Sequence, residues 1–304
     1  MDNERLYKFV EDILKNTELN RLPEKYGGGI IFSKPLIGIA KGDDPIFKEY
    51  KEIIKETYLT PLEFWEKNGL EINNIKESDI RAVSIVFPYD DVIREKSKKA
   101  TKFPAKIYCV ARNFANALIF DVLDKLIAYF NEKGFLATAS HKGETYNISV
   151  ERKFPYIYSN WSERHTAFAA GLGTFSLHEA LITEVGCNVR LGSVITNAPL
   201  TVTPRKYDDP YANCLFYAKG ICKKCMERCP ADAISEEGHD KFKCAKYEQF
   251  VAEEMNKQLG DILKPHWRRI NGYYKKQVRD PVGCAFCQFN VPCMNRNPMN
   301  SMQD

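Results

Sequence analysis

The sequence predicts a mixed α/β body followed by a cysteine-rich C-terminal module, and three observations carry that division. Strand-like apolar runs alternate with helix-spaced apolar residues over the first 200 positions. Eight of the ten cysteines fall within the last 91 residues. Beyond Thr201, cysteine, lysine and proline rise while apolar periodicity weakens. That shift places a boundary near residues 200–212 and divides the chain into 1–205 and 206–304.

Asn3 to Leu19 sets Leu6, Phe9, Val10, Ile13 and Leu14 at helical spacing, so an amphipathic N-terminal helix is expected. Leu22 to Asp44 carries Gly27-Gly28-Gly29 without the Gly-Lys-Ser/Thr ending of a nucleotide-cradling loop, and reads as a flexible or ligand-lining loop. Helices follow at Pro45 to Tyr58 and Pro61 to Asn68, the second opened by Thr60 as cap and Pro61 at the first helical position. Arg81 to Phe87 reads as a buried strand. Pro104 to Phe130 contains a long helix with Leu118, Val122, Leu126 and Ile127 on one face, stopping near Gly134. Phe135 to Ser140 reads as a strand, Trp161 to Ala170 as a helix and Leu191 to Ala198 as a strand.

An apolar content of 44% with 12% aromatics in 304 residues is enough to bury a sizeable core. The net charge of +4 is mild and does not demand a nucleic-acid partner. Lys96, Lys98, Lys99 and Lys102 read as a solvated surface rather than a phosphate-binding face. The charged start Met1 to Val10 and the lack of an apolar run of about 18 residues predict a cytoplasmic protein without a membrane partner. In that reducing compartment, closely spaced cysteines mean metal more often than disulfides.

The cysteines run Cys214, Cys222-Lys-Lys-Cys225-Met-Glu-Arg-Cys229-Pro230, Cys244, Cys284-Ala-Phe-Cys287 and Cys293. Eight thiolates suit two four-iron clusters, and Cys-x-x-Cys-x-x-x-Cys-Pro ends the bacterial ferredoxin signature, in which the last cysteine ligates the other cluster. That crossover assigns Cys214, Cys222, Cys225 and Cys293 to one cluster and Cys229, Cys244, Cys284 and Cys287 to the other. A regular loop would place its first cysteine at Lys219, so Cys214 must reach across seven intervening residues. The competing reading is a four-cysteine zinc site, which strands four more thiols in a short tail. Cys109 and Cys187 are assigned no role. One-electron chemistry is expected, in a tail held together largely by its metal.

The passage Ser162-Glu-Arg-His-Thr-Ala-Phe-Ala-Ala-Gly-Leu-Gly-Thr-Phe175, followed by Leu181-Ile-Thr and Arg190-Leu-Gly-Ser-Val-Ile-Thr-Asn197, resembles the core motif of the epoxyqueuosine reductase family. Cys222 to Ile234, Gly238-His-Asp-Lys241 and Gly283-Cys-Ala-Phe-Cys-Gln288 are similar in order and character to that family's double-cluster module. The resemblance covers roughly residues 150–293 and extends more distantly to reductive dehalogenases. It implies a nitroreductase-like α/β (α+β) N-terminal domain that binds cobalamin or another corrinoid, fused to a ferredoxin-like domain with two 4Fe-4S clusters that feed electrons to cobalt. Ser162, Arg164, Ala170, Gly171, Gly173, Thr174 and Phe175 are then cofactor-binding residues. The small side chains from Ala167 to Gly173 let a flat macrocycle approach the backbone, although simple helix packing explains them equally.

The family carries an acidic residue shortly before its Glu-Arg pair, whereas Pro155-Tyr-Ile-Tyr-Ser-Asn160 contains no carboxylate. Tyr156, Tyr158, Glu163 or His165 could take over as general acid; histidine is nearest the useful pKa range, but His165 suits a core hydrogen bond equally well. The chain stops eleven residues after Cys293, short of the helical-repeat extension that many family members use on transfer RNA. No twin-arginine leader precedes the domain, since Arg268-Arg269 is internal. The expectation is an iron-sulfur reductase that takes electrons from an external low-potential donor and passes them through a corrinoid to a small-molecule or modified-nucleoside substrate. The alternative is an electron-transfer protein that reduces a partner corrinoid protein or flavoprotein without turnover of its own.

Overall fold

In the computed structural model, which describes residues 2–71, 74–142, 145–153, 157–276 and 281–300, the central sheet takes strands β1 (Leu36–Lys41), β2 (Arg81–Pro88), β3 (Ala137–Ala139) and β8 (Val189–Thr196) in the order β1-β2-β8-β3. Every pairing in this sheet is antiparallel, with Phe87 opposite Arg190 and Ala137 opposite Thr196. The reason lies in the connections. β1 reaches β2 through two helices, α2 (Ile46–Ile53) and α3 (Pro61–Lys67), and β3 reaches β8 only after residues 140–188 have built further sheet structure.

Seven successive buried residues, Ala82 to Pro88, mark β2 as covered on both faces. Val83, Ile85 and Phe87 enter one core with α1 (Asn3–Asn16) and the long helix α5 (Lys106–Asn131). Ala82 and Val86 enter a second core with α2, α3 and α6 (Glu163–Ala169). The two-residue period of the strand thus feeds two cores from one segment. Local signals set the helix ends. Thr60 Oγ1 accepts from the Glu63 N–H at 3.3 Å and the Glu63 carboxylate accepts from the Thr60 N–H at 2.8 Å, the reciprocal capping box that starts α3. Lys96 and Lys98 lie on an unanticipated surface helix, α4 (Asp91–Lys98), where Lys98 pairs with Glu95.

The middle of the chain adds β4 (Ile148–Val150), β5 (Ile157–Ser159), β6 (Gly173–Phe175) and β7 (Leu181–Thr183), three residues each and too short for periodicity to reveal. The tail contributes α7 (Leu215–Lys219), α8 (Lys224–Arg228), a hairpin of β9 (Ile234–Ser235) and β10 (Gly238–His239), α9 (Lys241–Leu259), and a hairpin of β11 (Trp267–Ile270) and β12 (Tyr273–Lys276). β11 pairs with β4, Ile270 opposite Ile148, so the second four-stranded sheet, β12-β11-β4-β5, draws on both halves of the chain.

Packing corrects the expectation that metal largely holds the tail together. Val251, Met255 and Leu259, spaced four apart on α9, enter the core of α1 and α5 together with Leu263, Val282, Phe289, Val291 and Met294. Burial of each such side chain contributes about 1.5–3 kcal/mol. Position 205/206 therefore marks a change of composition within a shared core. Among the described residues no helix is long and apolar enough to cross a membrane.

Candidate functional site

Three short elements place the first group of thiols. Cys214 precedes α7, Cys225 lies on α8 just after Cys222, and Cys293 follows Val291-Pro292; all four line one small cavity with His178. Gly186 makes the approach of Cys293 possible. It has φ +84°, and a β-carbon there would lie 2.4 Å from the Met294 carbonyl oxygen, so only glycine lets that segment pass. Next to it the Cys187 N–H donates to the Cys293 carbonyl at 2.8 Å, and their sulfurs lie 3.7 Å apart. His178 Nε2 is 3.9 Å from Cys293 Sγ. The Cys187 thiol and His178 hold Cys293 down, as the thiolate of the group.

Cys229, Cys244, Cys284 and Cys287 line a different and larger cavity. Cys229 directly follows α8, Cys244 sits in the first turn of α9, and Ala285, in the left-handed region at φ 55°, bends the chain between Cys284 and Cys287. Burial pushes Cys225, Cys244 and Cys284 up to about 12. All ten cysteines are free thiols.

The larger cavity has a volume of about 530 Å³, and Glu163 and Arg164 at the start of α6 reach its wall. Ser140 Oγ donates to Glu163 Oε1 at 3.0 Å, while Oε2 is buried without a hydrogen-bond partner. Burial raises this carboxyl above the ordinary glutamate range, opposed only in part by the Ser193 and Ser140 hydroxyls. Arg164 donates to the Glu179 carbonyl at 2.6 Å. Glu179 moves the other way: burial pushes it up, but His239, Lys241 and Arg164 together hold it below the ordinary range.

The other candidate acids lie away from the cavity. His165 Nδ1 is 2.8 Å from Ser162 Oγ, and its ring packs against Tyr50, Tyr58 and Phe175. Burial, helped by Arg164, lowers it to about 3, so it is neutral at physiological pH and has no proton to give as an imidazolium. The Tyr158 hydroxyl is taken by Glu151, which also pairs with Lys55. Tyr156 lies outside the described residues.

The residues expected to cradle a macrocycle face packed protein. Ala170 is fully buried, and a β-carbon on Gly171 would lie 2.6 Å from the Pro204 carbonyl oxygen, one on Gly173 2.3 Å from that of Ile182. Ser162 is engaged by His165. Thr174 Oγ1 accepts from the Asn213 N–H at 2.8 Å and the Phe175 N–H donates to the Pro210 carbonyl at 2.6 Å, so both hold the loop that carries Cys214. Of the seven, only Arg164 lines the larger cavity.

Sequence reading missed an arginine pair on the same wall. Arg112 on α5 and Arg190 on β8 both donate to Asn116 Oδ1, at 3.3 and 3.1 Å. Arg190 Nη1 and the neighbouring Tyr89 hydroxyl have no hydrogen-bond partner besides each other. Burial and Arg112 lower Arg190 to about 10, which leaves it charged at neutral pH. The signals were present: Tyr108, Arg112 and Asn116 recur every four residues along an apolar helix, and Arg190 interrupts an apolar strand.

No protein-family model matches the chain, and no curated protein matches it. Among solved structures, a selenomethionine-labelled epoxyqueuosine reductase is similar with a TM-score of 0.47 and 16% identity over 98% of this chain and 70% of that one. The epoxyqueuosine reductase from Streptococcus thermophilus is similar with a TM-score of 0.43 and 14% identity over 97% and 69%. A catabolic reductive dehalogenase in complex with 3-bromo-4-hydroxybenzoic acid reaches 0.47 and 15% over 99% of this chain and 37% of its own. These structure neighbours come from the two groups that the motifs resemble.

Proposed function

We propose that the chain is an iron-sulfur oxidoreductase in which two 4Fe-4S clusters, one held by Cys214, Cys222, Cys225 and Cys293 and the other by Cys229, Cys244, Cys284 and Cys287, deliver electrons from an external low-potential donor to an acceptor in the larger cavity. The donor sets support this reading, because thiolates alone match iron-sulfur chemistry. Such clusters supply one-electron transfer when bound. Thiols raised to about 12 keep their protons while empty, so loading releases them and is favoured by rising pH.

A single observation favours a reductase over a bare electron carrier: Cys229, Cys244, Cys284, Cys287 and Glu163 line the same cavity. An inlet for electrons and a source of protons face one space. Glu163 keeps its proton at higher pH than an ordinary glutamate, because burial outweighs the Ser193 and Ser140 hydroxyls. Glu179, held ionised, fixes Arg164 beside it. The corrinoid implied by the motif resemblance does not fit the residues assigned to it, since six of the seven are occupied in packing or in holding the Cys214 loop. The proposed electron path ends at the cavity.

The test is a pair of variants examined by electron paramagnetic resonance after anaerobic reduction. Cys214→Ala should remove the signal of one cluster and Cys284→Ala that of the other, each leaving its neighbour. Loss of the same signal in both variants, or of neither, would overturn the assignment.

A further inference from the structure

We propose that the larger cavity binds its ligand through an acidic group, a carboxylate or a phosphate, seated between the Arg112 and Arg190 guanidiniums with the Tyr89 hydroxyl as a further donor. The inference rests on the reading of this cavity as the acceptor site and names the chemical class of the acceptor: a small organic acid or a phosphate ester.

The donors outnumber what the protein gives them. Two guanidiniums share one acceptor, Asn116 Oδ1, and Arg190 Nη1 and Tyr89 Oη have only each other. Among the described residues neither arginine has an ion-pair partner within 4 Å, whereas Arg94, Arg164 and Arg205 each have one. A half-buried cation without a counter-charge is destabilising. Both arginines line the cavity, so the missing partner lies on that side. A planar carboxylate or a phosphate accepts from a guanidinium fork in parallel, which a lone carbonyl cannot do for two forks. The wall is rigid. Phe87 opposite Arg190 fixes the strand, and Tyr108, one turn before Arg112, packs between Tyr89 and Phe289.

Isothermal titration calorimetry on cluster-loaded protein, with benzoate and with inorganic phosphate at constant ionic strength, tests the proposal. Saturable binding of at least one probe is expected, weakened about tenfold or more in Arg190→Gln and in Arg112→Gln at unchanged iron content. Tighter phosphate binding assigns a phosphate ester, and tighter benzoate binding a carboxylate. If Arg190→Gln does not load its clusters, Arg112→Gln decides alone. No binding of either probe to the wild type, or equal binding in the variants, overturns the proposal. So does a shift of cluster potential in Arg190→Gln with anion affinity intact, which would mean that the pair balances thiolate charge. Iron content and resonance signals from the same samples report separately on the redox reading.

Discussion

Glu163 and His165 stand two residues apart on one short helix, and burial acts on each in the direction that removes its charge. For Glu163 the protonated form is favoured, so a step that takes its proton slows as pH rises through the raised value. Glu163→Gln should lower turnover by about 10²–10⁴-fold and abolish that alkaline limb of the pH profile. A variant that keeps the limb would place the proton elsewhere. For His165 the neutral form is favoured: the folded value is about 3 against about 6.5 when unfolded. Its contribution to stability is complete above about pH 6.5 and is lost as pH falls toward 3, at about 1.4 kcal/mol for each pH step of one. Urea midpoints of wild type and His165→Asn, followed from pH 7 to 4, should converge as the pH falls. Parallel curves would contradict a buried neutral histidine.

Helix α9 shows at the level of elements why the tail is more than a metal loop. Val251, Met255 and Leu259 are buried to within 2% exposure in the core of α1 and α5. Met255→Ala should cost about 2–5 kcal/mol in chemical denaturation, whether or not the clusters are loaded. A cost confined to the loaded protein would mean that metal alone orders the helix. This element was illegible in sequence because Lys and Glu fill the positions between its apolar residues, and only three buried positions mark its face. α3 is the opposite case: Thr60, Pro61 and Glu63 announce its start within four residues. The three-residue strands carry no period at all.

Across the whole molecule, what the sequence revealed is what lies close along the chain. Cys222, Cys225 and Cys229 lie close along the chain, and the two groups of cysteines proposed as ligand sets line two cavities. What depends on strand register or on distant backbone was hidden. Nothing in Ala170-Gly171-Leu172-Gly173 tells whether small side chains admit a ligand or the backbone of Pro204 and Ile182, and here they admit backbone. Arg190 meets Arg112 only because β8 lies beside β2 beneath α5. The strand and helix alternation likewise fixes composition but not direction, and the sheet is antiparallel throughout.

The proposed function stands on two all-thiol groups, each proposed to hold one cluster, that line two cavities. Iron and acid-labile sulfide, assayed on protein purified without oxygen, are the decisive measurement. About eight of each per chain are expected. Four of each, or tightly bound zinc without iron, would refute the reading.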